Sequence, residues 1–252
     1  MEKEIIEWIY EAGDKIRKAL KEDTLQVDHK SGRTDIVTNV DKDIQNFLVD
    51  KIKSFDPKAK ILGEENGQDT TSIDQGRVFV IDPIDGTLNF VYQKENFCIM
   101  IAVYEEGIGR LGFIYDVMRD DLFWGGPKVN AVYHNEKELK APKNKTLEEG
   151  LLGVGMPVYT NNYHHTKDIG VRTMGVRVLG CAGLDFIAIL KGTQIGYLSS
   201  LSPWDYAAGK VMMEQIEMPT CGADFQPLNF SGREFFIGLT SAAMNQAKEY
   251  KD

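Results

Sequence analysis

The chain reads as an α/β protein made of two unlike parts, and three observations lead to that class. Residues 3–55 carry two amphipathic helical patterns. Residues 97–133 hold short β-branched and aromatic runs separated by turn signals, the pattern of an antiparallel meander. Beyond residue 150, strand-like and helix-like runs alternate, which indicates a sheet covered on both faces. At 252 residues the chain suffices for one large domain or two closely packed halves with a substantial core. The polar run Ala141-Pro142-Lys143-Asn144-Lys145 is the best boundary, giving a first part of residues 1–143 and a second of 144–252.

In order, Ile5, Ile9, Ala12, Ile16 and Ala19 or Leu20 recur at helical spacing and predict a helix over 3–22 with one buried stripe. A polar stretch follows from Asp28 to Asp35, within which Lys30 to Arg33 reads as a solvated turn. Thr38 to Asp41 can cap a second helix whose apolar face is Ile44, Phe47, Leu48, Ile52 and Phe55. Asp56-Pro57 ends it, and Ala59 to Leu62 is a short strand. Residues 67–76 are a polar surface loop. Phe97–Tyr104 and Gly109–Tyr115 form a hairpin, continued by Asp121–Trp124 and Ala131–Tyr133, with Gly125-Gly126-Pro127 as a turn. In the second part, strands are expected at 151–154, 176–179, 194–198 and 235–239. Helices are expected at 162–173, 184–190, 203–216 and 241–251.

Hydrophobic residues make up 42% and charged residues 27%, an ordinary soluble composition. A net charge of −9 argues against a nucleic-acid or anionic-membrane partner. It leaves an anionic substrate open, because divalent cations invert the sign of an acidic cluster. Cys98, Cys181 and Cys221 show no C-x-x-C spacing, so neither a disulfide framework nor a zinc site is expected. No secretory signal opens the chain, and no apolar run approaches the roughly 18 residues of a membrane span. A cytoplasmic protein is expected. His29, His134, His164 and His165 are too scattered for a metal cage. No Gly-x-Ser-x-Gly elbow occurs, and Gly63-x-x-x-Gly67 lacks the Lys-Ser/Thr of a P-loop.

The informative stretch is Ile81-Asp82-Pro83-Ile84-Asp85-Gly86-Thr87, entered from Val78-Phe79-Val80. It reads as a buried strand ending in a sharp turn, with two carboxylates three residues apart. Hard cations take such oxygens, and substrate phosphate oxygens complete their shell. Gly86 lets the backbone approach an anion, and the Gly86 and Thr87 amides face it if a helix starts there. Upstream, Leu62-Gly63-Glu64-Glu65 ends a strand; adjacent side chains there point to opposite faces, so at most one glutamate enters a shared site, and spacing does not say which. Downstream, Pro203-Trp204-Asp205-Tyr206-Ala207-Ala208-Gly209 opens a helix, where Ser202-x-x-Asp205 has capping-box spacing.

Together these three motifs resemble the signature of the inositol monophosphatase family, the Mg²⁺-dependent, lithium-sensitive phosphatases related to fructose-1,6-bisphosphatase. The resemblance runs from the first helix to beyond residue 220. It implies a layered α/β sandwich and a phosphomonoesterase binding two or three Mg²⁺ ions. By resemblance Glu64, Asp82, Asp85 and Asp205 are the side-chain metal ligands, the Ile84 carbonyl adds one more, and Asp82 bridges. Thr87 and Asp41, with Glu64, orient and deprotonate the attacking water. Asp85, Gly86, Thr87, Leu198 and Asp205 fall at substrate- or phosphate-binding positions. Glu65 is an auxiliary carboxylate, and Lys30 sits where the family has a lysine on a mobile loop. A small phosphorylated substrate and a homodimer are the expected partners.

One departure stands out. Inositol-tuned members carry a glutamate seven residues before the Trp-Asp aspartate, and here that place is Leu198. The stretch Arg177-Val178-Leu179-Gly180-Cys181-Ala182-Gly183 is also altered. Inositol phosphates, fructose-1,6-bisphosphate, the 2′-phosphate of NADP(H) and 3′-phosphoadenosine 5′-phosphate all remain open as substrates. A metal-dependent binding or regulatory protein with a vestigial site is the non-enzyme alternative. The presence of every expected ligand, and of both Thr87 and Asp41, counts against it.

Overall fold

Helices α1 (Glu2–Glu22) and α2 (Asn39–Phe55) bury the stripes that their periodicity predicts, Ile5, Ile9, Ala12 and Ile16 on one and Ile44, Leu48 and Ile52 on the other. Two expected members fall short: Phe47 is only half-buried, and Phe55 stays 39% exposed at the edge, meeting the Trp8 ring edge-on. The computed structural model describes residues 1–22, 25–32, 35–65 and 71–250, without the side chains of residues 30, 31 and 35. Between the two helices, β1 (Val27–Gly32) pairs antiparallel with β2 (Asp35–Thr38) where a polar turn was expected. Val-Asp-His-Lys-Ser-Gly has no apolar alternation, so no strand signal exists there to read.

The first sheet holds, in spatial order among the described residues, β3 (Lys60–Gly63), β4 (Arg77–Asp85), β5 (Cys98–Glu105), β6 (Ile108–Asp116), β7 (Asp121–Gly126), β8 (Ala131–His134) and β9 (Lys137–Glu138). Only β3 and β4 run parallel; the rest is the expected meander. Glu106 and Gly107, both at positive φ (51° and 78°), turn the β5–β6 hairpin. Short helix α3 (Thr87–Gln93) follows β4.

The second sheet is built from β10 (Leu151–Val154), β11 (Gly175–Arg177), β12 (Gly196–Leu201), β13 (Thr220–Cys221) and β14 (Glu234–Leu239), ordered β11-β10-β12-β14-β13. The first three are mutually parallel and β14 is antiparallel to its neighbours. Helices α4 (Met156–Thr160), α5 (Thr166–Val171), α6 (Ala182–Leu190), α7 (Pro203–Gln215) and α8 (Ser241–Ala247) intervene. The helix expected at 162–173 begins only at Thr166, because Asn162, His164 and His165 take left-handed backbone conformations. The strand expected at 194–198 lies two residues further on.

Three apolar clusters define the layering. α1 and α2 cover one face of the first sheet through Phe79, Ile81, Ile99, Ile101 and Phe113. The opposite face, with Val80, Met100, Ala102 and Ile114, packs on α6 and α7, which pack in turn on Tyr197, Leu201 and Phe236 of the second sheet. Leu198, Ile195, Ile237 and Leu239 face outward onto α4, α5 and α8. The order is helix, sheet, helix, sheet, helix: an α/β layered sandwich. α7 lies so close on β6 that a Cβ at Gly112 would sit 2.3 Å from the Ala208 carbonyl oxygen. No described helix is long and apolar enough to cross a membrane.

Candidate active site

The site is organised by the exit of β4. Asp82 pairs with Met100 and Asp85 with Cys98, so β4 carries one more residue than its partner between those rungs. Pro83 has no N–H for the ladder, and the extra residue forms a bulge. On a regular strand, side chains three apart point to opposite faces. The bulge brings Asp82 and Asp85 into the same pocket. The Ile84 N–H donates to Asp82 Oδ1 at 3.1 Å and holds the kink. The strand therefore runs through both aspartates, and the sharp turn comes at Gly86, whose φ of 87° and ψ of 40° are left-handed. A Cβ there would approach Cys181 Cβ to 3.0 Å and the Asn96 carbonyl oxygen to 3.3 Å. α3 starts directly after it, as the amide arrangement requires.

Asp41 comes from the first turn of α2. Its carboxylate accepts the Thr38 N–H at 2.9 Å and the Thr38 hydroxyl, while Thr38 Oγ1 accepts the Val40 and Asp41 amides, completing a capping box. The other oxygen, Oδ1, accepts from Thr87 Oγ1 at 3.2 Å, and Thr87 also reaches the Ile84 carbonyl at 3.1 Å. Burial pushes the fully buried Asp41 carboxyl up to about 6; its bonds from Thr38 oppose this, and the charges of Glu64 and Glu65 add to it.

At the end of β3, the Glu64 N–H donates to the Ile81 carbonyl at 3.3 Å, and Glu64 lines the pocket. Glu65 is buried away from it, with its N–H on Gln45 Oε1 at 3.0 Å and its carbonyl on Gln45 Nε2. Of the two glutamates, Glu64 is the one that lines the pocket. Asp205 enters from the opposite side on the first turn of α7. It closes the Ser202 capping box, with the Ser202 N–H at 2.8 Å from Oδ2, and still lines the pocket. Arg233 at the mouth lies 3.8 Å from it.

Glu64, Asp82, Asp85 and Asp205 therefore converge on one pocket of about 340 Å³. Burial raises the Asp82 carboxyl well above the usual range, and the charges of Glu64, Asp85, Asp205 and Asp41 push it further. Burial, then Asp85 and Glu64, push Asp205 up to about 8. Asp85 is raised by burial against bonds from Gly183, Cys181 and Ala182. A desolvated cluster of mutually repelling carboxylate oxygens is the donor set that hard divalent cations require.

Leu198 is a correction. It is fully buried in the outward-facing cluster of the second sheet and does not line the pocket. Because β12 spans Gly196–Leu201, its inward residues are Tyr197, Ser199 and Leu201; Ser199 places its side chain at that wall, and Ser200 borders it at the strand's end. Sequence reasoning also missed Ile36, Val154, Gly155, Met156, Pro157 and Arg233, which line the pocket and carry no motif. The Lys30 side chain, and residues 66–70 of the expected polar loop, lie outside the described residues.

The sequence profile of the inositol monophosphatase family matches residues 1–222. The chain is 36% identical over 228 residues to inositol-1-monophosphatase of Bacillus subtilis, covering 88% of this chain and 85% of that one. It is 31% identical over 211 residues to fructose-1,6-bisphosphatase/inositol-1-monophosphatase of Thermotoga maritima, with coverages of 82% and 77%. Staphylococcal IMPase-II superposes with a TM-score of 0.86 at 29% identity, over 98% of this chain and 91% of that one; it has also been crystallised with inositol monophosphate and with 2′-AMP. With the same layered fold and three motifs meeting in one pocket, the chain belongs to the inositol monophosphatase family and is a phosphoric monoester hydrolase.

Proposed function

We propose that the enzyme works with Mg²⁺ held by Glu64, Asp82, Asp85, Asp205 and the Ile84 carbonyl, and hydrolyses small polyol, sugar or nucleotide monophosphates. The observation that carries this reading is the convergence of four carboxylates from β3, β4 and α7 beside the Thr87–Asp41 pair. The donor set is all oxygen and its charges repel, so it fits hard cations. When bound, two such ions would supply water activation on one side of the phosphate and charge neutralisation at the leaving oxygen.

The chain's own groups do the rest. The Thr87 hydroxyl has its hydrogen directed inward, toward Asp41 and the Ile84 carbonyl, so its outward lone pair accepts a hydrogen bond from a water and fixes that water's orientation. Asp41, bonded to the Thr87 hydroxyl, takes up the proton passed through Thr87, and Glu64 faces the same space. The Gly86 and Thr87 amides at the start of α3 hold phosphate oxygens. The opposite wall reads the alcohol: Tyr197, Ser199 and Ser200 offer polar contacts, and Met156, Val178 and Leu201 offer apolar ones. About 340 Å³ is near the lower end for ligand pockets, which favours a small polyol phosphate or the phosphate-bearing ribose of a nucleotide. The ligands of staphylococcal IMPase-II, inositol monophosphate and 2′-AMP, are of these two kinds.

Residues 1–143 and 144–252 are then two subdomains sharing the core between the sheets, with Asp205 crossing from the second to the first. Exposed Val171, Met174, Val178 and Leu179 flank edge strand β11 and support a homodimer through that edge. Three free, buried cysteines suit a reducing cytoplasm. The deciding experiment is hydrolysis of inositol 1-phosphate, fructose-1,6-bisphosphate, 2′-AMP, NADP⁺ and 3′-phosphoadenosine 5′-phosphate, with and without Mg²⁺. Metal-dependent turnover of at least one is expected, with Li⁺ as inhibitor. No turnover of any would leave the vestigial binding protein.

A further inference from the structure

We infer that Cys98, Cys181 and Asp85 form a second, thiophilic metal site in the wall of the pocket, one that takes Zn²⁺ or Cd²⁺ and in doing so withdraws Asp85 from the hard-cation cluster. The two sulfurs lie 3.7 Å apart. Asp85 Oδ2 is 3.6 Å from Cys98 Sγ and 3.1 Å from Cys181 Sγ. A tetrahedral zinc with Zn–S of about 2.3 Å and Zn–O of about 2.0–2.2 Å sets its sulfurs about 3.8 Å apart and each sulfur about 3.5–3.7 Å from the oxygen. Two of the three separations already match, and the third closes with a shift of about half an ångström.

The three groups are positioned by separate elements. Cys98 opens β5 opposite Asp85, and Cys181 precedes α6, so the triad ties the first sheet to the helical layer between the sheets. All three residues are buried. The sulfur of Cys98 is held against α6, since a Cβ on Gly183 would fall 2.2 Å from it. The Gly183 N–H donates to Asp85 Oδ2 at 2.5 Å and fixes that oxygen while leaving it a further lone pair. Asp85 and Cys181 line the pocket, so an ion enters from solvent there and a water completes its shell. On binding, two S–H bonds break, two metal–sulfur bonds form, and both protons leave to solvent. Soft thiolates select zinc and cadmium over magnesium, so the site does not compete for the ion the reaction uses.

The effect on turnover rests on the phosphatase reading; the binding does not. The test titrates the full-length protein with Cd²⁺, without substrate, and follows the sulfur-to-cadmium charge-transfer absorption. One Cd²⁺ per chain is expected, with the band lost in Cys98→Ser and in Cys181→Ser and retained in Cys221→Ser. Cys98→Ala replaces the serine variant if that does not fold. In excess Mg²⁺, Cd²⁺ should inhibit phosphatase turnover with the midpoint that the absorption band shows at that same Mg²⁺ concentration. Cys98→Ser should move that midpoint up at least about tenfold, the lower end of what even outer-shell changes do to metal affinity. No band in the wild type, or a band that survives both single substitutions, overturns the site. A band without inhibition overturns the shared use of Asp85. A band in a protein inactive on every phosphate counts against the phosphatase reading and leaves the site standing.

Discussion

The two walls of the pocket are built on different principles. One wall is acidic and built on regular structure: Glu64, Asp82 and Asp85 sit at strand ends of a sheet that is seven-stranded among the described residues, and backbone amides hold Asp82 and Asp85. The other is mixed: Tyr197, Ser199, Ser200 and Leu201 from β12, with Met156 from the start of α4 and Val178 from the segment after β11. Chemistry on a phosphate needs charges at fixed positions, which strand ends and helix starts provide. Reading an alcohol needs a few hydroxyls and a shape, which tolerate substitution. The difference explains why the acidic wall carries motifs and the other carries none.

Removing a charge from the acidic wall should have the largest effect. Asp82→Asn or Asp205→Asn is expected to lower kcat/KM by more than about a hundredfold, beyond the roughly 10–100-fold cost of losing an outer-shell partner. Glu65→Gln, which lies off the pocket, should cost less; equal losses would place Glu65 among the ligands. Next comes Thr87→Val, which keeps the shape and deletes the hydroxyl between Asp41 and the pocket. A fall of about a hundredfold in kcat with little change in KM is expected, the lower end for proton-transfer groups. A change confined to KM would make Thr87 a binding group only.

The alcohol-reading wall should respond more weakly and selectively. Ser199→Ala is expected to lower kcat/KM for inositol 1-phosphate by about tenfold, the equivalent of one hydrogen bond at about 1.4 kcal/mol. Turnover of p-nitrophenyl phosphate should be unchanged. Leu198→Ala should do the reverse, leaving the substrate ranking alone and destabilising the fold by about 2–5 kcal/mol through the cavity it leaves. A changed ranking without loss of stability would put Leu198 back at the pocket.

A buried carboxylate away from the cluster gives the smallest effect and the cleanest control. Asp185 on α6 is pushed up to about 8 by burial, against a bond from Gln194 Nε2 at 3.1 Å. Its folded-state pKa is raised, so its contribution to stability is fully present below about 4 and is lost as pH rises through about 8. Asn at this place cannot ionise, and its amide can donate to Gln194 Oε1, which has no hydrogen-bond partner among the described residues. Asp185→Asn should therefore raise stability at pH 9 by about 1–3 kcal/mol and change little at pH 5, by chemical denaturation. A destabilised variant at pH 9 would show that the charged form is the one the fold holds.

What the sequence by itself determined is what local periodicity and short-range chemistry encode. The stripe of α1, the meander from Phe97 to Tyr133, the capping spacing at Asp205 and the three acidic motifs are all legible without a fold. Tertiary structure decided which way each side chain faces at the ends of elements. The bulge at Pro83 puts Asp82 and Asp85 on one side although their spacing on a regular strand would separate them. The Gln45 clamp turns Glu65 from the pocket and leaves Glu64 in it. The strand read at 194–198 lies at Gly196–Leu201, and its packing between two helical layers assigns Ser199 to the pocket and Leu198 to the core. Adjacent residues on a strand face opposite ways, so a face is set by what packs against it, and that information lies in distant parts of the chain. The same holds for Cys98 and Cys181, 83 positions apart in sequence and 3.7 Å apart in space, which only the packing of α6 on β5 brings together.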